Sequence, residues 1–264
     1  MPKTPITYYG GKVNMLQHIL PNIPAHKVYV EPFFGGGAVF FAKEKSQSEI
    51  INDLNSFVIN FYEVCISDFD NLKEKIEATI FARDTYSVAN SIYRMPHLFS
   101  KLQQAWAFYI ATNMGFGCRI GSWGFDKYGK RAKAFLNKKL RFDESIFERL
   151  KTSQVENSDA LKIVDLYDVP DAWFYVDPPY INSHMGHYAG YSENDYRKLL
   201  ERLSIIQGKF LLSSYPSDLL KDFVRKNKWY TKDFDKPLTA KKGVLGKARD
   251  KRKTEVLVAN YPLC

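Results

Sequence analysis

The chain of 264 residues has an ordinary globular composition, with 45% hydrophobic and 25% charged residues, and a formal net charge of +9. Its three cysteines, Cys65, Cys118 and Cys264, are far apart and odd in number, which argues against a disulfide framework or a zinc site and favours a reducing compartment. Because no apolar run approaches the ~18 residues of a membrane span, and no signal-peptide core begins the chain, we expect a cytoplasmic protein that does not bind membranes.

Apolar runs near both ends of the sequence alternate with helical patterns. Strands are predicted over residues 28–33, 49–53, 172–177, 209–213 and 255–261, and helices over 38–44 and 193–206. Ser192 is the expected cap of the second helix, with Asp195 in its first turn. This alternation predicts an α/β fold with a doubly wound, mostly parallel sheet that helices cover on both faces. In such sheets, ligands bind beyond the carboxyl ends of the strands.

A mainly helical region interrupts the alternation. Helices are predicted over 57–66, 70–80, 84–94, 97–112 and 143–150, around a glycine-rich basic stretch at 115–139 that we expect to be an exposed loop. We therefore predict an inserted lobe at residues 57–150 and a second domain formed by residues 1–56 and 151–264.

Positive charge is concentrated in two segments. Residues 119–141 contain 8 Lys and Arg against one acid, and residues 221–253 contain 13 Lys and Arg against 4 Asp and Glu. Such segments indicate a surface for a polyanion, although two solvated loops would have the same composition. Aromatic residues, among them Trp123 and Tyr128, are interleaved with the charges of the first segment. Because aromatic rings stack on bases, that segment favours nucleic acid.

The most specific motif is Asp177-Pro178-Pro179-Tyr180, which follows the apolar run at 173–176. A strand end there presents a carboxylate, and the prolines stiffen the turn while their carbonyls remain available as acceptors. An exocyclic amine on a nucleobase is a poor nucleophile because its lone pair is delocalised into the ring. The Asp177 carboxylate and the Pro178 carbonyl could accept both of its N–H groups, and the Tyr180 ring could stack on the base. A tight turn after a buried strand would have the same sequence, so the context must decide.

Three other features supply that context. Glycines at 35–37 follow the first predicted strand and would let a backbone approach a ligand, but they form neither a G-x-G-x-x-G fingerprint nor a phosphate loop. A nucleotide-like ligand without a pyrophosphate is the better match. Asp53 ends the second strand, where an acid suits a ribose hydroxyl pair. Lys12, after Gly10 and Gly11, is a cation that could hold a carboxylate.

These motifs, in this order, resemble those of the Dam-like (D12 class) family of DNA adenine-N6 methyltransferases over residues 8 to about 261. The residues that carry the resemblance are Tyr8 to Lys12, Val30 to Phe40, Asn52 to Asn55, Asn157 to Asp159, Tyr175 to Tyr180 and Arg252 to Tyr261. The resemblance implies transfer of a methyl group from S-adenosylmethionine to N6 of a flipped-out adenine, with S-adenosylhomocysteine as product. Asn113 to Gly117 resembles the start of the family's recognition hairpin, but residues 118–123 depart from its pattern, so no recognition sequence is transferred.

The resemblance also assigns roles to individual residues. The catalytic residues would be Asp177, Pro178, Pro179 and Tyr180. The cofactor would contact Tyr8, Gly10, Gly11, Lys12, Glu31, Phe33, Gly35, Gly37, Asp53, Asp159 and Asp177. Separately from these roles, the basic aromatic segment and the likeness of Asn113 to the start of the recognition hairpin predict DNA contacts by Asn113, Arg119, Trp123, Lys127, Lys130, Arg131 and Lys133. We expect no metal, because the five histidines show no ligand spacing with Cys or acids.

The expected partner is double-stranded DNA, bound by a monomer encoded by a bacterium or a phage. A cognate restriction endonuclease would accompany a restriction-modification enzyme, and a solitary methylase would have the same sequence features. Three alternatives stay open: methylation of cytosine N4, methylation of RNA or of a protein glutamine, and a non-catalytic DNA-binding protein on a decayed fold. The motif order and the large central lobe argue against the second, and intact Asp177, Lys12 and Asp53 argue against the third.

Overall fold

The structure is a computed structural model that describes residues 4–116, 120–180, 191–237 and 252–264. Within these ranges the strands are β1 (Val28–Glu31), β2 (Ser48–Asn52), β3 (Gln154–Glu156), β4 (Ala172–Val176), β5 (Lys209–Ser214), β6 (Tyr230–Pro237) and β7 (Arg252–Ala259). The helices are α1 (Leu16–Ile19), α2 (Ala38–Ala42), α3 (Ser56–Ser67), α4 (Phe69–Glu77), α5 (Arg83–Arg94), α6 (Lys101–Met114), α7 (Lys130–Lys139), α8 (Glu144–Leu150), α9 (Ala160–Tyr167), α10 (Glu193–Ser204) and α11 (Asp218–Asn227). In the described part of the chain, every helix is too short or too polar to span a bilayer.

The strands form one mixed sheet of seven strands in the described residues, in the order β3-β2-β1-β4-β5-β7-β6. The pairs β2/β3, β1/β4 and β4/β5 are parallel, and β7 pairs antiparallel with both β5 and β6. All five residues of β4 are buried, as expected for a central strand of a sheet covered on both faces. The predicted α/β fold with a mostly parallel sheet is confirmed, and the antiparallel end of the sheet is a feature that strand–helix alternation did not indicate.

The chain forms two compact units. The first comprises Met1–Ile23 and Phe33–Ala160, and the second comprises Pro24–Pro32 and Leu161–Cys264. Helices α3 to α8 occupy the range predicted as an inserted lobe, and they belong to the first unit together with β2 and β3. The boundaries predicted for the lobe and the second domain stay predictions.

The first unit has an aromatic core around α6, whose residues Ala105 to Thr112 are all buried. Phe61, Phe142 and Tyr109 pack there, with the Tyr109 and Phe142 ring centroids 5.4 Å apart. A buried ion cluster joins β2 to the neighbouring helices: Glu49 binds both Lys43 and Arg149. This packing gives β2, the strand that leads to Asp53, a rigid base.

The stretch at 115–139 was predicted to be one exposed loop. That prediction is wrong for residues 130–139, which form α7. Only Phe135 of that helix is buried, so its sequence lacks the apolar stripe by which amphipathic helices are recognised. The Asp126 carboxylate accepts the backbone N–H groups of Lys130 and Arg131, which satisfies donors of the first turn. By contrast, the predicted cap of α10 is confirmed, because Ser192 and Asp195 form a capping box.

Candidate active site

The glycine turn between β1 and α2 is built around the ring of Tyr8 in the first unit. Gly35 has a φ of +48°, and a Cβ atom on it would lie 2.7 Å from Cδ1 of Tyr8. A Cβ on Gly37, whose φ is +64°, would lie 2.5 Å from Cζ of Phe34. Only glycine therefore fits these two positions, both for backbone conformation and for space. Two motifs that are 27 positions apart in sequence, at residues 8 and 35, are thus in direct contact.

Asp53, which follows β2, also holds the glycine turn, through a hydrogen bond from the backbone of Gly35. Its Oδ2 accepts the N–H of Gly35 at 2.8 Å and its Oδ1 accepts the N–H of Asn55 at 2.8 Å. The residue is 1% exposed. Burial raises the pKa of Asp53 to about 6, against the lowering effect of these two hydrogen bonds. In this structure the carboxylate therefore holds the glycine turn in place.

The segment at Asn157 to Asp159 lies beside the end of β2. Asn157 donates to the carbonyl of Asp53 at 2.7 Å, and the amide of Asn52 exchanges two hydrogen bonds with the Ser158 backbone. Asp159 is exposed. The first unit therefore brings together three of the sequence motifs: the glycine turn, Asp53 and the segment that ends in Asp159.

The N-terminal turn is also in the first unit. Gly10 has a φ of +77°, and the N–H of Gly11 donates to the carbonyl of Tyr8 at 3.2 Å. Lys12 is 4% exposed, and its Nζ donates to the carbonyl of Gly10 at 2.8 Å. The Tyr8 hydroxyl accepts from Asn55 Nδ2 at 3.3 Å, which links the turn to the residues after β2. Phe33 is partly buried at the start of the glycine turn.

The motif predicted to be catalytic, Asp177 to Tyr180, lies in the second unit at the carboxyl end of β4. Asp177 is half-buried, and Pro178 and Pro179 are buried. The Tyr180 hydroxyl donates to Oδ1 of Asp177 at 3.1 Å. The motif therefore folds back on itself, so that its last residue holds the carboxylate of its first.

Two residues that the sequence analysis did not select complete this arrangement. Ser213 of β5 lies with its Oγ 3.2 Å from the Tyr180 hydroxyl, and Oε1 of Glu255 in β7 lies 3.2 Å from the same hydroxyl. Ser213 also donates to Oε1 of Glu255 at 2.7 Å. The signal in the sequence was a charged residue at the start of an otherwise apolar strand, since Glu255 precedes Val256-Leu257-Val258-Ala259.

Carboxyl groups surround the buried ring of Tyr175 in β4. The pKa of Tyr175 is raised well above its usual value. Burial is the largest cause, and the nearby carboxylates of Asp177, Glu31 and Glu255 raise the pKa further. Glu31 ends β1, is 3% exposed, and accepts the hydroxyl of Tyr29 at 2.5 Å. The carboxyl edge of the second unit is therefore rich in acidic groups.

A cavity of about 270 Å³ adjoins the catalytic motif in the second unit. The rings of Tyr180 and Tyr215 are in contact on one side, with centroids 4.1 Å apart. The lining residues are Pro179, Tyr180, Glu193, Tyr196, Ser214, Tyr215, Pro216, Ser217, Asp218 and Leu219. An aromatic wall next to a polar rim can accommodate a planar, partly polar group.

Two residues predicted to contact DNA are engaged inside the first unit. Oδ1 of Asn113 accepts from the Thr7 backbone at 3.2 Å and from Lys138 Nζ at 2.9 Å. The Trp123 ring packs on Phe81, with centroids 4.9 Å apart, and Trp123 pairs with Gly115 in an antiparallel bridge. The bridge is consistent with the predicted hairpin. The DNA contacts of these side chains stay predictions.

The basic residues of the same region differ in their exposure. Lys127, Lys130 and Lys133 are exposed. Arg131 is half-buried, with its guanidinium 5.1 Å from the centroid of the Phe116 ring and Nη1 3.5 Å from the Gly115 carbonyl. Arg119 lies outside the described residues. The three lysines are therefore available to a polyanion, whereas Arg131 contacts the protein at Gly115 and Phe116.

Comparison with known proteins agrees with these motifs. Over residues 8–234, the sequence matches the family described as D12 class N6 adenine-specific DNA methyltransferases. The type II methyltransferase M.MjaIII of Methanocaldococcus jannaschii is 29% identical over 97% of this chain and 98% of that protein. The type II methyltransferase M1.LlaDCHI of Lactococcus lactis subsp. cremoris is 25% identical, over 96% of this chain and 93% of that protein. The retron Ec67 DNA adenine methylase of Escherichia coli is 23% identical, over 84% and 80%. The resemblance seen in the motifs is confirmed: this chain belongs to the D12 class N6 adenine-specific DNA methyltransferase family.

Proposed function

We propose that this enzyme uses S-adenosylmethionine to methylate N6 of an adenine flipped out of double-stranded DNA, and that Asp177 and Pro178 hold the reacting amino group. The observation that carries the proposal is the position of Asp177 at the end of buried strand β4, where Tyr180 fixes its carboxylate. Buried prolines follow it directly, so the Pro178 carbonyl belongs to a stiff turn.

The first unit fits the proposed cofactor in its chemistry. The methyl donor, when bound, supplies an electrophilic methyl group attached to sulfur. The glycine turn presents backbone without side chains, Lys12 is a cation for the carboxylate of an amino acid, and Asp53 is an acceptor for ribose hydroxyls. Each Asp53 oxygen accepts one backbone N–H and retains a second lone pair.

At the target base, the residues of the motif would act by position and charge. The Asp177 carboxylate and the Pro178 carbonyl accept the two N–H groups of N6, which favours a pyramidal nitrogen whose lone pair is aimed at the incoming methyl group. The same acceptors stabilise positive charge that develops on N6. Orientation of this kind supplies roughly 7–11 kcal/mol in favourable cases. The Tyr180 ring offers a stacking face to a base that has left the duplex.

We infer that α7 and the residues before it bind the DNA backbone. Lys130 and Lys133 are exposed on α7, and Lys127 precedes it. Phosphate contacts of this kind make affinity depend steeply on salt. The names of two relatives as type II methyltransferases favour a restriction-modification context, with a cognate endonuclease as a further partner. We propose a monomer as the active form, since one copy of the chain carries every element named above.

The test compares Asp177→Ala with Asp171→Ala. Both remove a carboxylate next to β4, but Asp171 lies at the opposite end of the strand in an exposed ion pair with Lys27. Transfer of a labelled methyl group to DNA should be lost in Asp177→Ala and kept in Asp171→Ala, and mass spectrometry of nucleosides should find N6-methyladenine. Full activity in Asp177→Ala, or no labelling from S-adenosylmethionine by the unaltered enzyme, would overturn the proposal.

A further inference from the structure

The hydroxyl of Tyr180 lies between two carboxylates. It is 3.1 Å from Oδ1 of Asp177 and 3.2 Å from Oε1 of Glu255. Ser213 lies on the same side, 3.2 Å from the phenol oxygen, and donates to Glu255. Glu255 is 4% exposed, so it is a buried acid that the proposed methyl transfer does not use directly.

The number of protons limits what this arrangement can do. A phenol hydroxyl has one hydrogen and can also accept through its oxygen. Tyr180 can therefore donate to only one of the two carboxyl groups at a time, and it can accept from the other only when that group carries a proton. Burial, followed by the charges of Asp177 and Glu255, raises the pKa of Tyr180 well above its usual value. Tyr180 therefore stays a neutral phenol, and it can pass a proton only by receiving one as it gives one up.

The reaction releases one proton. When the N6–CH₃ bond forms and the S–CH₃ bond breaks, the sulfonium charge disappears and N6 must lose one of its hydrogens. Asp177 is the acceptor next to N6 in the proposed function. A proton held on Asp177 would remove the negative charge that stabilises N6, and the bound base would separate it from water.

We propose that Glu255 holds this proton during the reaction and that the Tyr180 hydroxyl passes it from Asp177. The inference rests on the proposed function. Once Asp177 has received H⁺ from N6, the Tyr180 hydroxyl turns its hydrogen from Asp177 to Oε1 of Glu255. Asp177 then gives its proton to the Tyr180 oxygen, while the original Tyr180 hydrogen moves to Glu255. Asp177 ends as a carboxylate, Tyr180 as a phenol and Glu255 as a carboxylic acid. After the methylated base leaves, the same path returns the proton to Asp177, which is half-exposed and can give it to water.

The other titratable groups near this path determine its pH response. In the described part of the second unit they include Tyr175, on which the charges of Asp177, Glu31 and Glu255 all act, and the ring of Tyr215 against Tyr180. Glu193, Tyr196 and Asp218 line the adjoining cavity. Glu255 is the acid among them that shares both Tyr180 and Ser213 as hydrogen-bond partners.

The experiment measures kcat and KM against pH for Glu255→Gln, Tyr180→Phe and the double variant. The glutamine side chain in Glu255→Gln keeps the size of the glutamate and an acceptor oxygen but cannot take the proton, and the phenylalanine in Tyr180→Phe keeps the stacking ring without the hydroxyl. Each single variant should lower kcat by roughly 100-fold with KM nearly unchanged, a loss typical of interrupted acid–base chemistry. The double variant should lose no more than the worse single variant, because both changes interrupt one path.

The pH profile and a control separate a proton path from a structural role. In Glu255→Gln, kcat should rise with pH where the unaltered enzyme is flat, because water or hydroxide must then deprotonate Asp177. Tyr261→Phe also removes a phenol hydroxyl, from a residue just after β7 that accepts from Trp173 Nε1 at 3.0 Å, and it should keep the normal kcat and profile.

Three outcomes would overturn the inference: unchanged kcat in either single variant, additive losses in the double variant, or a flat pH profile in Glu255→Gln. Tyr180→Phe decides the matter if Glu255→Gln fails to fold. Activity in Asp177→Ala would instead reject the proposed function, whereas an inactive Asp177→Ala with a fully active Glu255→Gln would reject the proton path alone.

Discussion

Gly35→Ala tests whether the contact between the glycine turn and Tyr8 organises the proposed cofactor site. The substituted residue would keep a φ of +48°, which costs a non-glycine residue about 1–2 kcal/mol. Its Cβ would also lie 2.7 Å and 3.0 Å from Cδ1 and Cε1 of the Tyr8 ring. Overpacking of this kind adds about 1–3 kcal/mol. We therefore expect the free energy of unfolding to fall by about 2–5 kcal/mol.

The clash should also weaken cofactor binding, because the Tyr8 ring can avoid the added Cβ only by moving away from the glycine turn. Displacement of Tyr8 would disturb its contact with Asn55, next to the N–H that binds Asp53. A loss of about 1.4–2.8 kcal/mol in binding corresponds to a 10- to 100-fold increase in the Kd for S-adenosylmethionine. Isothermal titration calorimetry measures this Kd, and urea unfolding measures the stability.

Gly129→Ala is the matched control. Gly129 also has a left-handed backbone, with a φ of +68°, but a Cβ there would meet nothing within 4 Å. It should cost about 1–2 kcal/mol of stability and leave cofactor affinity unchanged. Adding Tyr8→Ala to Gly35→Ala should recover part of the lost stability by removing the clash. The reasoning is refuted if Gly35→Ala and Gly129→Ala lose equal stability and both bind the cofactor normally.

Three further predictions concern stability and DNA binding. Glu49→Gln should lower the free energy of unfolding by about 3–5 kcal/mol, because it leaves Lys43 and Arg149 buried without their carboxylate. Burial raises the pKa of Glu49, but hydrogen bonds from Arg149 and Lys43 outweigh it and lower the net value, so this contribution should disappear as pH falls below 4.5 in urea titrations. For Asp53 the pH dependence of stability has the opposite sign. Its pKa rises from 3.8 to about 6, so its ionisation should reduce the free energy of unfolding by about 3 kcal/mol as pH rises through that interval. Asp53→Asn should abolish this pH dependence. Lys133→Ala should weaken DNA binding and reduce the slope of log affinity against log salt by about 1, whereas Lys162→Ala, at an exposed lysine of α9, should leave the slope unchanged.

The glycine turn and Asp53, the proposed cofactor site, could be predicted from sequence because their signals are local. A strand, a glycine turn and a helix follow one another within residues 28–42, and the left-handed conformations at Gly35 and Gly37 are properties of those positions. Asp53 likewise follows its strand directly. What sequence did not give is the depth of Asp53, since burial depends on the segments that pack over it, among them the backbone around Asn157.

The recognition region was harder to predict for a physical reason. In a basic segment, the sequence does not distinguish a polar or aromatic residue that faces solvent from one that packs inside the protein. Asn113 and Trp123 are both engaged inside the first unit, while the lysines near them are exposed. Helix α7 was missed because a helix with one buried residue has no apolar period, and its first turn depends on Asp126, which lies outside it.

Glu255 shows how sheet direction hides a residue from a motif search. In a parallel sheet, residues that follow the strands meet at one edge, so Asp177 after β4 was expected there. An antiparallel strand runs the other way, and its first residues, not its last, arrive at that same edge. Because β7 pairs antiparallel with β5, with Ser214 opposite Val256, the residue before Val256 lies beside the ends of the parallel strands. The acid that contacts Tyr180 is therefore 75 positions away in sequence, at the residue just before β7 begins to pair with β5. In a mixed sheet, a search for functional residues must include the first residues of each antiparallel strand together with the last residues of each parallel one.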